Sequence, residues 1–334
     1  MKESPVPRKR LAIGALLFLL MPLAMPLLMP RVIADDVAPS ATPSGTTPSF
    51  VISPLAPYVL PATKDRLVPG NLKPSLAKAK MDRPTPYLDH CHTQQNLTAS
   101  TAPCVYGEKK SKTTIVLFGD SHALSWFPAI EALAQAKKWR MLSLTMSSCW
   151  PADIPAWNST TQLLMKNCAI WRGNTLKQIA QIKPTLIFVS GTRGFSTTNS
   201  TGDVSINEER ANLWEVGMKR TLTNLKITGS RVVLLSDTPL SIYDVPICLS
   251  KHPSSILACS TPLDQALSLG WLAREADVAA NSEIEWINPT LWVCPSDPCS
   301  PISKNILIYI DGGHLSATFA RTLEAPLWKE VSKN

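Results

Sequence analysis

The feature that most constrains the fold of this 334-residue chain is a regular alternation of short apolar runs and longer segments with helical spacing. The runs are rich in β-branched residues and apolar throughout, as is typical of strands buried on both faces. The predicted strands cover 113–118, 140–145, 185–190, 231–236 and 284–287. The predicted helices cover 124–138, 162–182, 206–225, 263–280 and 315–331. Strands that alternate with helices of this length predict βαβ crossovers, and therefore a three-layer α/β/α fold around a central, mostly parallel sheet.

The N-terminus predicts export. Four basic residues precede an uncharged run of 19 residues, 11–29. That length lies between the ~7–15 residues of a usual signal-peptide core and the ~20 of a spanning helix. Val32-Ile33-Ala34 would suit signal-peptidase cleavage. Residues 1–34 are therefore either a cleaved signal peptide or a membrane anchor. In both cases the basic end stays in the cytoplasm and the rest of the chain is extracytoplasmic, secreted or anchored to the cell membrane.

Composition separates a stalk from a folded domain. Residues 35–86 contain 10 of the 29 prolines, together with many Ser, Thr and Ala residues, and we expect an extended stalk there. Residues 87–334 are expected to form one domain. The net charge of +8 does not by itself identify a partner. Nucleic acid is not an expected partner, because the chain has no long basic run and no recognition motif.

The eight cysteines predict disulfides. Their even number and the absence of a CxxC pair argue against a zinc site or a thioredoxin-like motif, and export favours oxidation over buried free thiols. Pairing sequential neighbours gives the predicted bonds Cys91–Cys104, Cys149–Cys168, Cys248–Cys259 and Cys294–Cys299. We expect neither a metal nor a cofactor. The loop histidines His90, His92 and His252 are expected at the surface rather than in a metal site.

Two motifs suggest nucleophilic catalysis. The first strand ends in Gly119-Asp120-Ser121-His122, directly before a helix. This context places Ser121 on a strand-to-helix turn, where Gly119 allows a tight backbone and free N–H groups can stabilise an oxyanion. Asp311 lies three residues before His314 in a second motif, close to the last helix. We therefore predict Ser121 as the nucleophile, His314 as its base and Asp311 as the residue that orients the base.

These motifs carry a family resemblance. GDSHA followed by LSWFPAIEALA, with DGGHLSATFARTL near the C-terminus, resembles the SGNH (GDSL-type) hydrolase superfamily. The similarity is closest to SGNH domains fused to, or working beside, acyltransferase family 3 membrane proteins. DHCHTQQ, CVYG, SSCWP, CAIWR and SDTPL also agree with that subgroup. The resemblance covers about residues 75–334. It implies an SGNH/flavodoxin-like fold and O-acyl chemistry on a cell-envelope glycan.

The chain departs from the superfamily pattern at the oxyanion hole. The usual second-block glycine has its nearest counterpart in 147–149, which includes Ser148. The third block normally supplies an Asn side chain, but the third strand here ends in Ser190-Gly191-Thr192-Arg193. Arg193 could replace that Asn as a cation, or could bind an acidic sugar. The candidate oxyanion or substrate residues are Gly119, Asp120, Ser148, Gly191 and Arg193.

Three further side chains have expected positions. Asp120 is expected to organise its loop. His122 is expected to point away from Ser121 and to serve packing or substrate contact. Asp237, after the fourth predicted strand, is either a helix cap or a cleft residue.

The sequence thus predicts an exported serine-dependent O-acyltransferase, most simply an O-acetyltransferase, acting on an envelope carbohydrate through an acyl-serine. The alternatives are a carbohydrate O-acetyl esterase and a non-catalytic glycan-binding module. Expected partners are the glycan acceptor and a polytopic membrane acyltransferase as acyl donor, with the N-terminus engaging the membrane.

Overall fold

The structure is a computed structural model that describes residues 60–61, 64–100 and 104–333. The predicted signal peptide or anchor and most of the predicted stalk lie outside these residues. Within them, no helix is both long and apolar enough to cross a membrane.

Seven strands form the central sheet. They are β1 (His92–Thr93), β2 (Val105–Gly107), β3 (Thr114–Gly119), β4 (Arg140–Met146), β5 (Leu186–Ser190), β6 (Arg231–Leu235) and β7 (Glu285–Ile287). Their order is β7-β6-β5-β3-β4-β1, all parallel, while β2 pairs antiparallel with β4 beside β1. In this register Gly119, the last residue of β3, lies between Thr145 on β4 and Ser190 on β5.

Helices cover both faces of the sheet. They are α1 (Ser121–Ser125), α2 (Phe127–Lys137), α3 (Lys166–Ile182), α4 (Asn207–Lys226), α5 (Val245–Lys251), α6 (Leu263–Ala266), α7 (Leu269–Asn281), α8 (Thr290–Val293), α9 (Ala317–Arg321) and α10 (Glu324–Val331). Alternate residues of β3 point to opposite faces. Ile115 and Leu117 pack in a core with α2, α9 and α10, whereas Val116 and Phe118 pack in a second core with α3, α4 and α7. The predicted three-layer α/β/α fold is confirmed.

The structure differs from the predicted helices at their ends. The predicted helix 124–138 is two helices, the first ending at Ser125 and the second beginning at Phe127, because Pro128 in the first turn of the second has no N–H to donate to the first. The predicted helix 162–182 begins at Lys166, because the preceding residues form a two-stranded hairpin. Residues 263–280 also form two helices, the second capped by the Ser268 side chain, which accepts the N–H of Trp271.

Part of the predicted stalk packs on the domain. Leu72 and Ala79 are 8% and 0% exposed. The backbone of Lys73 donates to Asn305 and accepts from Leu307, both at 2.9 Å. The boundary predicted at residue 87 therefore falls inside the packed chain, since Leu72 and Ala79 are buried in it and Leu60–Pro61 pair with Ser296–Asp297. A few separate apolar side chains and backbone hydrogen bonds hold this segment on the domain. Neither produces a periodic pattern of apolar residues, so the proline-rich sequence gives no sign of the packing.

All eight cysteines form the four predicted disulfides, Cys91–Cys104, Cys149–Cys168, Cys248–Cys259 and Cys294–Cys299. The bonded cysteines are 13, 19, 11 and 5 residues apart in the sequence, so each bond closes a short loop. These loops contain little regular secondary structure, so the disulfides limit the conformations of segments that core packing alone stabilises only partly.

One predicted surface residue is buried. His92 is 2% exposed because β1 adds to the edge of the sheet, where its Nδ1 lies 3.0 Å from the hydroxyl of Thr145. Burial lowers the pKa of His92 to about 4, so this histidine is neutral at physiological pH.

Candidate active site

Gly119 fixes the turn that presents Ser121. A Cβ at this position would lie 1.8 Å from the carbonyl oxygen of Ser190 and 2.7 Å from the Cβ of Ala123. Only glycine allows the end of β3 to lie this close to β5 and to the first turn of α1. The close approach places Ser121 at the carboxyl edge of the parallel sheet, where ligands bind in such folds.

Asp120 organises the loop around the serine. Its fully buried carboxylate accepts the N–H of His122 at 2.8 Å and of Ala123 at 3.3 Å. The second oxygen accepts the N–H of Thr192 at 2.9 Å, which ties the loop after β5 to the start of α1. Burial raises the pKa of Asp120. The Ser121 amide occupies the first helical position, which has no acceptor within the helix, and it can bind an oxyanion.

Ser121, His314 and Asp311 form one chain of hydrogen bonds. Ser121 Oγ lies 3.0 Å from His314 Nε2, and His314 Nδ1 lies 2.9 Å from Asp311 Oδ2. The other oxygen of Asp311 accepts the N–H groups of Gly313 and His314, each at 2.8 Å. An ionised Asp311 fixes the proton of the imidazole on Nδ1, so Nε2 accepts the Ser121 hydroxyl proton.

The same contacts keep Asp311 ionised. Partial burial alone would raise the pKa of its carboxyl group. The hydrogen bond and charge of His314, with the two backbone N–H groups, outweigh burial and hold that pKa well below its usual range. Asp311 is therefore a permanent acceptor at physiological pH.

Neighbouring segments hold the loop that carries Asp311 and His314. Ile310 N–H donates to the carbonyl of His314 at 2.9 Å, which closes the loop on itself. Ser241 N–H donates to the carbonyl of Gly312 at 2.8 Å, and the hydroxyl of Tyr309 donates to Pro239 at 2.7 Å. The segment after β6 thus positions the histidine opposite the serine.

The other predicted oxyanion candidates occupy different environments. Ser148 is exposed, with a left-handed φ of 54°, and no contact with Ser121 is found in the described part of the chain. Gly191 lies beside Asp120, because a Cβ there would be 3.4 Å from Oδ2. The guanidinium of Arg193 donates to the carbonyl of Ala266, so one of its donors is already engaged. Among the described residues, no group of three or more His, Cys, Asp or Glu side chains is arranged to hold a metal ion.

His122 lies in the site rather than away from it. Its ring centroid is 4.7 Å from that of His314, and its Nδ1 lies 2.8 Å from Oδ1 of Asp237. Asp237 lies two residues after the end of β6, at the carboxyl edge of the sheet, and its contact with His122 places it in the cleft rather than at a helix cap. The sequence positions of His122 after the nucleophile and Asp237 after a strand are the signals of this pair, but neither one alone predicts the pairing.

Comparisons with known proteins identify the family of the chain. The family described as SGNH domain (fused to AT3 domains) matches residues 90–329. The periplasmic domain of a Salmonella ser. Paratyphi A lipopolysaccharide acetyltransferase is 15% identical, with 68% of this chain and 84% of that domain covered and a TM-score of 0.51. A GDSL-like lipase from Bacteroides thetaiotaomicron is 12% identical, with 67% and 91% covered and a TM-score of 0.39. No curated protein sequence matches significantly. The match over residues 90–329 shows that the chain belongs to the family of SGNH domains that occur fused to AT3 domains, and that it is an SGNH-type acyltransferase or esterase.

Proposed function

We propose that this protein is an exported O-acyltransferase that carries an acyl group, most simply acetyl, to a cell-envelope carbohydrate through an acyl-Ser121 intermediate. The observation that carries the proposal is the unbroken chain of hydrogen bonds from Ser121 through His314 to Asp311. A glycan-binding module would need no such chain at the carboxyl edge of its sheet.

The proposed reaction has two halves. As Ser121 Oγ attacks the acyl carbonyl, its proton moves to Nε2 of His314, and Asp311 stabilises the imidazolium. The oxyanion accepts the N–H of Ser121. When the intermediate collapses, the donor oxygen leaves with the proton of His314. An acceptor hydroxyl then loses its proton to His314 as it attacks the acyl-serine, the bond between the acyl carbon and Ser121 Oγ breaks, and Ser121 takes its proton back from His314.

The environment of the chain supports an acceptor outside the cytoplasm. Four disulfides suit an oxidising compartment, and the N-terminal segment predicts export. Because domains of this family occur fused to AT3 domains, we propose that an AT3 membrane protein supplies the acyl group. Because a lipopolysaccharide acetyltransferase domain shares the fold, acetyl is the first acyl group to test and a glycan is the first acceptor to test.

Product analysis on the full-length protein tests the proposal. The protein is incubated with an acetyl ester and an envelope oligosaccharide, and acetylated oligosaccharide and free acetate are both measured. We expect acetylated oligosaccharide from the wild type and from Ser159→Ala, which removes an exposed serine outside the site, but none from Ser121→Ala.

The other outcomes separate the alternatives. Free acetate alone, formed in a Ser121-dependent way, would identify an esterase. Binding of the oligosaccharide without either product would identify a binding module and refute the proposal.

A further inference from the structure

A second histidine–aspartate pair stands beside the Ser121–His314–Asp311 chain. His122 and Asp237, 115 residues apart in sequence, meet at 2.8 Å with side chains that are 12% and 3% exposed. The second ring nitrogen of His122, Nε2, has no hydrogen-bond partner among the described residues. The ring lies against the loop that carries His314, since a Cβ on Gly313 would be 3.2 Å from its Cε1 and 3.5 Å from its Nε2. One nitrogen is thus fixed by a buried carboxylate, and the other lies against Gly313 in the loop that carries His314.

Asp237 is held as a carboxylate by several donors. Besides His122, it accepts the N–H of Thr238 at 2.8 Å and of Arg193 at 3.2 Å. Burial alone would raise the pKa of Asp237, but the charge and hydrogen bond of His122, followed by Arg193, lower it. A charged acceptor of this kind requires a proton on Nδ1 of His122 and favours a second proton on Nε2.

The charged groups around His122 favour the imidazolium. Asp237 contacts its ring directly, while Asp120 at the start of α1 and Asp311 in the facing loop add negative charge. His314 faces the ring from the same loop, and Arg193 stands behind Asp237. Burial alone would lower the pKa of His122, but Asp237, and then the other two carboxylates, raise it to about 9.

We propose that His122 is a further catalytic residue, which donates its Nε2–H to the acyl oxygen as Ser121 attacks the carbonyl. The proposal rests on the acyl-Ser121 chemistry proposed above. His122 follows the nucleophile directly and packs on its base, and the expected side-chain donor of the superfamily is missing after β5. The bond from Ser121 Oγ to the carbonyl carbon forms, the C=O electron pair moves to the oxygen, and the Ser121 proton moves to His314. His122 keeps its proton and supplies only charge and a hydrogen bond.

Substitution of His122 tests the role at the transition state. In the full-length protein, His122→Gln keeps a side-chain N–H donor but removes the positive charge and the ring geometry. We expect kcat for an acetyl ester to fall by about 10²-fold or more, the usual effect of a lost oxyanion donor, while KM changes little. The control His252→Gln removes an exposed histidine that directly follows α5, and it should match the wild type. A wild-type kcat in His122→Gln, or a change in KM alone, would overturn the proposal.

The pH profile provides a readout that a purely structural role would not change. Wild-type kcat should decline as the pH rises through about 9, since His122 then loses its charge. Asp237→Asn should move that decline toward the ordinary histidine pKa of ~6.5. An unchanged alkaline limb in a folded Asp237→Asn protein would overturn the proposal. If that variant does not fold, NMR titration of His122 in the wild type decides, because a midpoint near 6.5 refutes a permanent imidazolium.

The two proposals fail in different ways. Turnover that persists in Ser121→Ala refutes the acyl-serine mechanism whatever His122 does. Turnover that depends on Ser121 but not on His122 or Asp237 leaves the mechanism standing and refutes only the oxyanion role of His122.

Discussion

Replacing Asp311 by Asn separates its two contacts. In the structure, one carboxylate oxygen accepts two backbone N–H groups at 2.8 Å, and the other accepts Nδ1–H of His314 at 2.9 Å. The Asn oxygen can retain the first pair of bonds, but its Nδ2 can only donate to Nδ1. The proton of His314 must then move to Nε2, where it faces the Ser121 hydroxyl and blocks proton transfer.

The variant should therefore fold but react slowly. In serine proteases the corresponding change costs ~10⁴ in kcat through the wrong tautomer, and we expect a loss of about 10³-fold here. Stability should change much less, because a single charge-assisted bond becomes a neutral one. That difference is about 1 kcal/mol, or a fall in Tm of ~2–4 °C for a domain of this size.

Turnover of an acetyl ester and a thermal melt measure the two effects on the same preparation. Asp65→Asn is a matched control, because that exposed carboxylate also accepts backbone N–H groups, from Arg66 and Leu257, outside the site. Near-wild-type turnover by a folded Asp311→Asn protein would refute the orienting role and leave a Ser121–His314 pair.

Three further predictions concern the framework of the site. Gly119→Ala should cost about 3 kcal/mol or more, seen as a large fall in Tm, because its Cβ would lie 1.8 Å from the carbonyl of Ser190; an unchanged melt would show that the β3–β5 contact is not close. Burial raises the pKa of Glu275 from 4.5 to about 7, so the folded state binds its proton more tightly and loses about 3 kcal/mol as the pH rises from about 4.5 to about 7. The Tm of the wild type should fall across that range, whereas Glu275→Gln should flatten the profile. Replacing Cys149 and Cys168 together by Ser should destabilise the protein by ~2–4 kcal/mol in denaturant unfolding, and an unchanged midpoint would contradict a structural disulfide.

The sequence predicts the sheet well because its central strands are buried on both faces. The run predicted at 113–118 is observed as Thr114–Gly119, and that predicted at 185–190 as Leu186–Ser190. Two-residue edge strands such as His92–Thr93 are too short to show an alternation of apolar and polar residues. They form only because a neighbouring strand supplies backbone hydrogen-bond partners. Helix ends are set by local turns, as at Trp126, where the helical spacing of the side chains continues through the break.

The candidate site divides in the same way. Two short motifs contain Ser121, Asp311 and His314, so the sequence alone predicts them as catalytic candidates. Only the fold shows that their side chains lie within hydrogen-bond distance of one another. The contact of His122 with Asp237 depends on β6 lying next to β5 and β5 next to β3, which is a property of the whole sheet. No local pattern encodes it.

If Ser121 carries the acyl group during the reaction, that group can be found directly on the protein. The full-length chain is mixed with an acetyl ester, quenched within a turnover, digested and mapped by mass spectrometry. We expect one acetyl group on the peptide that contains Ser121, absent from Ser121→Ala and lost when the wild type is chased with acceptor. Turnover of the ester with that peptide unmodified throughout, or with the acetyl group on another residue, would contradict it.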